Sequence, residues 1–331
     1  MSNRTPLICS LLICFFLIAP ALVHPAWGTI TTFDVPNAKF TDVSTINLNG
    51  EIAGTYEDSY SVQHGYVRAS DGTITTFDVS GSQRTFVNAM NDDGTVAGYY
   101  YDGSGVEHSF MRAADGSITT IDPPNSVAAA AYGINTSGAI VGWYGDGKAG
   151  YGFIRAGDGT VTSFQVPNAT YSLFPLTINK EGEVAGFYQS DYETYHGFLR
   201  STNGVITVID APNTKYTVAL SINDKGVITG AADIGLHEKS FVRTSNGKLG
   251  LFDVDGSSET RASWINETGN VVGKYEIPFH RDVWKGFVFA PNGTITTFGC
   301  SGGDHDTEPT FINDSGWIAG DCGVHGFLRS P

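Results

Sequence analysis

Tyr56, Tyr100, Tyr144 and Tyr188 stand 44 residues apart, and Tyr275 falls in the same slot of a later copy. Asp58, Asp102 and Asp146 follow the first three at a distance of two residues. An aromatic ring beside a carboxylate suits a sugar, whose C–H face stacks while a hydroxyl donates to the acid. The same carboxylates can hold a cation, and the plain alternative is packed tyrosines beside solvated turn acids. A second cluster, Asp304, His305, Asp306 and Glu308, lies in Gly302–Glu308, where the other copies read Val-Pro-Asn-Ala or close variants. Alternating acids with one histidine suit Ca²⁺ or a harder transition metal, against the alternative of an acidic loop. No other cofactor is expected. Phosphate loops and HExxH motifs are absent from the sequence.

Two further sets recur too regularly to be catalytic. His64, His108, His196 and His325 share a slot with Tyr151, Lys239 and Lys285, an exchange that fits a polar cap better than a reacting group. Arg68, Arg112, Arg155, Arg200, Arg243 and Arg329 also recur. Their expected partners are acids at strand ends such as Asp34, Asp78 and Asp122.

What positions these residues is a repeat. Gly28-x-Ile-Thr-Thr-Phe-Asp returns in variants at Gly72, Gly116, Gly159, Gly204, Gly247 and Gly293, at intervals of 43 to 46 residues. A fixed period in this range marks one supersecondary unit copied in an array. Within a copy, β-branched and aromatic runs alternate with Asn-x-x-Gly and Asp-Gly turns, and no stretch has helical periodicity. In the first copy the expected strands are Val43–Asn47 (A), Glu51–Tyr56 (B), His64–Arg68 (C) and Gly72–Val79 (D). Four short antiparallel strands, seven times over, predict an all-β, seven-bladed β-propeller. The last copy ends at Arg329 without a D strand, whereas the chain's first repeat element is one, so Gly28–Val35 is expected to complete the last blade and close the ring. Cys300 and Cys322 then fall in adjacent blades on one face, and are expected to form a disulfide.

The runs Ile46–Gly54 with His64-Gly65-Tyr66, Ile178–Gly186 with His196-Gly197-Phe198, and Ile312–Gly320 with His325-Gly326-Phe327 resemble the extracellular HAF-type repeats of bacterial secreted proteins. The resemblance covers residues 28–331, departing where Gly or Ser replaces the motif's Ala and Arg replaces its Trp. It implies a secreted propeller-like array and no particular activity.

Residues 1–21 read as a secretory signal: Arg4, an apolar run from Leu7 to Ile18, and Ala19-Pro20-Ala21 as a small-x-small cleavage site. A leader, 22–27, would precede a single domain, 28–331. The formal charge of −15, with 34 acids against 19 bases, repels phosphate backbones and argues against nucleic-acid partners. The expected product is a secreted, extracellular or periplasmic monomer, free of the membrane after cleavage. With regular repeats and no convergent catalytic set in view, the residues favour a non-enzymatic binding module for a glycan or an extracellular protein. A polysaccharide-acting hydrolase or lyase using acids of the ligand face is the alternative, and a structural envelope or matrix component the third reading.

Overall fold

The computed structural model describes residues 28–235, 237–278, 283–301 and 306–331. The signal and leader, and Asp304 and His305 of the acidic cluster, lie outside the described residues. Seven four-stranded antiparallel sheets follow one another along the chain. The first blade comprises Phe40–Ile46, Ile52–Glu57, Gln63–Arg68 and Ile74–Phe77, as strands A to D. Blades two to six span residues 82–120, 128–164, 172–209, 217–252 and 260–298. Blade seven takes Thr307–Ile312, Ile318–Cys322 and His325–Arg329 as A to C, and Ile30–Phe33 from the N-terminal end as D. That closure runs in register from Ile30 opposite Arg329 to Phe33 opposite Gly326. No described helix is long and apolar enough to cross a membrane.

Each blade buries the aromatic of its third strand completely: Tyr66, Phe110, Phe153, Phe198, Phe241, Phe287 and Phe327. The seven hydrophobic clusters are chiefly contacts between neighbouring blades, as where Ala53 of the first meets Val87, Met90 and Phe110 of the second. Cys300 occupies the buried position that Val35 and Val79 fill elsewhere, and it is bonded to Cys322 with a Cα separation of 6.1 Å. The disulfide joins blade six to blade seven.

One geometric device matters for the site. Every innermost strand carries a bulge, between Val43 and Thr45 in blade one and at the equivalent place in the other six. The glycine opposite is obligatory: a Cβ on Gly54 would lie within 2.0 Å of the Asp42 carbonyl oxygen. The "Ile-x-Gly" of the repeat is thus the price of bringing strand B against a bulged strand A.

Candidate functional site

At the end of the channel formed by the A–B turns, seven asparagines make a closed ring. Each side-chain amide donates to the backbone carbonyl of the next: Asn47 to Asn91, Asn91 to Asn135, Asn135 to Asn179, Asn179 to Asn223, Asn223 to Asn266, Asn266 to Asn313, and Asn313 back to Asn47, over 2.9–3.4 Å. All seven are buried. Each also folds its own turn, as Asn135 Oδ1 does by accepting from the Ser137 and Ala139 N–H groups. Trp264 and Phe311, stacked at 4.0 Å, sit beside this ring and narrow the channel.

The other end is not sevenfold. Just before each bulge, strand A places Asp42, Phe86, Ala130, Phe174, Val218, Arg261 and Glu308 at the same register position. Opposite them on strand B stand Thr55, Tyr99, Trp143, Phe187, Ala231, Lys274 and Asp321. This facing pair of positions therefore carries charge on blades one, six and seven, and at least one aromatic ring on each of blades two to four.

The charged arc begins with two carboxyls from opposite ends of the chain. Asp321, 8% exposed, hydrogen-bonds the Asp42 side chain and accepts the Val43 N–H at 2.9 Å. Burial and the neighbouring carboxylate push Asp321 well above the usual carboxylate range, and burial raises Asp42. Two such groups cannot both ionise cheaply, so the pair as a whole favours keeping a proton between them. Beside them Glu308 is paired with Lys274 at 2.7 Å. Lys274 and Arg261 lie over the Trp284 ring at 4.7 and 5.2 Å. Arg261 pairs in turn with Glu238 at 3.1 Å and Glu259 at 3.0 Å. Burial raises Glu238 to about 7, against the opposing pull of Arg261.

The aromatic arc has two groups of touching rings. Phe86 stacks on Tyr99 at 4.8 Å and meets Tyr101 edge-on, and Tyr101 donates to Glu107 at 3.0 Å. Tyr132, Phe174, Phe187, Tyr195 and Tyr216 form the second, ring to ring, at 4.8–6.2 Å. Asp42, Phe86 and Tyr99 line a common cavity of about 530 Å³. This puts Asp42 beside an aromatic wall.

The residues singled out by spacing lie elsewhere. Tyr100, Tyr144 and Tyr188 are buried, and Tyr56 is partly buried. One face of each ring is taken by the third strand: His64 on Tyr56, His108 on Tyr100, Tyr151 on Tyr144 and His196 on Tyr188, at 5.0–5.1 Å. Asp58, Asp102 and Asp146 accept backbone N–H groups of their own turns, from Val62, Val106 and Ala149 among others. Those bonds hold the three carboxyls below their ordinary value. Tyr275 packs at the junction of blades five and six. Of the acidic cluster, Asp306 accepts the Trp284 N–H at 2.8 Å and Glu308 belongs to the charged arc. Among the described residues no three metal-ligating side chains converge.

The partners expected for the arginines need correction. Asp34, Asp78 and Asp122 are held by His325, His64 and His108 at 2.6–2.9 Å. Arg68, Arg112, Arg200 and Arg329 instead lie flat over Phe33, Phe77, Phe164 and Phe298 of the preceding blade, at 4.8–5.0 Å. A planar guanidinium stacks better than a histidine, and a short imidazole reaches the nearer acid.

No protein-family model and no curated protein matches the chain. Solved structures match the fold. A catalytically inactive variant of virginiamycin B lyase from Staphylococcus aureus, bound to quinupristin, aligns at TM-score 0.62 and 15% identity, covering 92% of this chain and 99% of that one. The β-propeller domain of the trilobed protease from Pyrococcus furiosus aligns at 0.61 and 12%, covering 88% and 94%. Acylaminoacyl peptidase from Pyrococcus horikoshii aligns at 0.58 and 12% over 86% of this chain but only 50% of that one. These matches corroborate the propeller, and they correct the non-enzymatic expectation: the lyase is an enzyme of essentially this length on this scaffold. The physical premise fails as well. A convergent polar set exists, assembled from positions that no sequence motif joins.

Proposed function

We propose that the chain is an enzyme cleaving a C–O bond in a polysaccharide, as a hydrolase or a lyase, at the Asp42–Asp321 pair. The observation that carries the proposal is this pair: two hydrogen-bonded carboxyls, one lining a cavity that has an aromatic wall. Asp42 is the base, taking a proton from water (hydrolase) or from carbon (lyase). Its raised pKa makes it a stronger base than an ordinary carboxylate. The pair then holds two protons and returns one to the departing oxygen as the C–O bond breaks, which balances the step. Phe86 and Tyr99 supply the stacking face. The lyase match supports an enzymatic reading of the scaffold. The apolar N-terminal run, the disulfide and the HAF-type repeat wording support action outside the cytoplasm.

The test is to incubate the protein with a polysaccharide panel, scoring new reducing ends for hydrolysis and unsaturated products for elimination. Asp42→Asn should lower the rate by roughly 10²–10⁴-fold with the fold intact. A variant as active as the wild type would sink the assignment.

A further inference from the structure

We infer that the gap between blades three and four is a subsite for one neutral sugar ring of the substrate, with the Trp143 indole as its floor. This rests on the polysaccharide reading above and adds a residue-level account of where the chain is gripped away from the cleaved bond.

A substitution pattern within the molecule marks this gap. At the base of the B–C hairpin five blades carry a facing pair of large side chains: Glu57 with Gln63, Tyr101 with Glu107, Gln189 with Tyr195, Asp233 with Glu238, and Glu276 with Trp284. Blade three has Gly145 facing Gly150. Neither turn geometry nor strand pairing asks for glycine at these two positions, since the same register accepts bulky residues five times over. What the glycines do is make room at the hairpin base, where the Trp143 indole lies against them. A Cβ on Gly150 would lie 2.8 Å from the indole Nε1, and one on Gly145 would meet the far edge of the ring at 3.5 Å.

The space so opened is a cavity of about 570 Å³, with Tyr132, Trp143 and Phe174 as apolar walls and Glu107, Lys148 and Tyr171 as polar lining. That volume is in the range of small-ligand sites and holds a hexose with room for its linkages. Flat apolar walls beside a few hydrogen-bonding groups suit a pyranose, and Tyr171, 64% exposed, is placed to add a second stacking face from the rim. The overall charge of −15 favours a neutral ring over an acidic one. The site is coupled to the acid pair by contact: Glu107 binds Tyr101, Tyr101 meets Phe86, and Phe86 shares the cavity of Asp42. A polymer gripped at Trp143 thus has a path to Asp42 along Glu107, Tyr101 and Phe86.

The experiment uses Asp42→Asn, so that sugar is not consumed, and titrates cellohexaose, mannohexaose, xylohexaose and chitohexaose while reading tryptophan fluorescence and binding heat. At least one hexasaccharide should bind and perturb the emission, and Trp143→Phe should remove that perturbation. Gly150→Gln, which installs the side chain blade one carries as Gln63, should weaken binding at least about tenfold by filling the floor. Trp143→Ala should weaken it comparably by removing the platform. Failure of all four sugars, unchanged affinity in Gly150→Gln, or a response to N-acetyltyrosinamide in place of sugars would overturn the subsite. Sugar binding that Gly150→Gln abolishes, in a protein whose wild type cleaves nothing, would uphold the subsite and remove the catalytic reading instead.

Discussion

The two ends of the channel are built from the same seven strands and differ in every other respect. At one end, seven identical asparagines pass hydrogen bonds around a closed ring. At the other, a single register position carries Asp, Phe, Ala, Phe, Val, Arg and Glu in turn. The first end uses its asparagines to satisfy buried carbonyls and turn N–H groups. The second gathers two carboxyls that share a proton, two cations over one indole, and an arc of rings. Repetition here is what neighbouring blades need from one another. Chemistry needs unlike groups facing each other, so it can only arise where copies diverge.

The contrast is sharpened by breaking each end separately. The largest effect should be the loss of turnover in Asp42→Asn, with thermal stability close to wild type. Next comes the disulfide, which ties blade six to the closing blade at the diverged end, its cysteines 22 positions apart in sequence. Replacing Cys300 and Cys322 by serine should cost about 3 kcal/mol, read as a shift in the denaturation midpoint. Smaller again is the asparagine ring: Asn135→Ala removes one of two donors to the Asn179 carbonyl and leaves two turn N–H groups without their side-chain acceptor. It should cost about 2 kcal/mol while the rate per folded molecule stays within about twofold. If Asn135→Ala abolished turnover without destabilising, or Asp42→Asn unfolded the protein without slowing it, the division between the ends would be wrong.

Most of the fold was legible because its signals are local. Gly-x-Ile-Thr-Thr-Phe makes an outer strand wherever it occurs, and an Asn-x-x-Gly turn needs only its own residues. Even closure could be read, from a D strand at Gly28 and none after Arg329. The site was not legible because its determinants are 279 residues apart at the extreme, Asp42 and Asp321, and no motif links them. The tyrosine and aspartate spacings drew attention for the opposite reason: periodicity marks what every blade must do, and those side chains stack within blades and close turns. Glu308 was reached through the acidic cluster, where the repeat visibly breaks. Asp42, Arg261 and Lys274 break it too, but by single substitutions inside otherwise regular strands. Aligning the seven copies and asking which column is chemically least uniform would have found them.

The smallest effect follows from the shared proton. Asp42 and Asp321 bind protons more tightly in the folded protein than at their ordinary value of 3.8. Above that value the native state holds protons that the unfolded chain releases. Stability from this source is therefore complete below about pH 4 and declines as pH rises through the raised pKa, by at most about 1.4 kcal/mol per pH unit for each proton. Asp321→Asn keeps a donor for Asp42 and an acceptor for the Val43 N–H, yet has no proton to lose. Its unfolding free energy, measured by denaturant titration between about pH 4 and pH 7, should fall less steeply than the wild type's. A residual slope should remain from Glu238, whose value of about 7 also exceeds its ordinary 4.5. Parallel slopes in the two proteins would mean that the carboxyls do not share a proton. The diverged end would then keep its cations and rings but lose the proton-sharing pair on which its proposed chemistry rests.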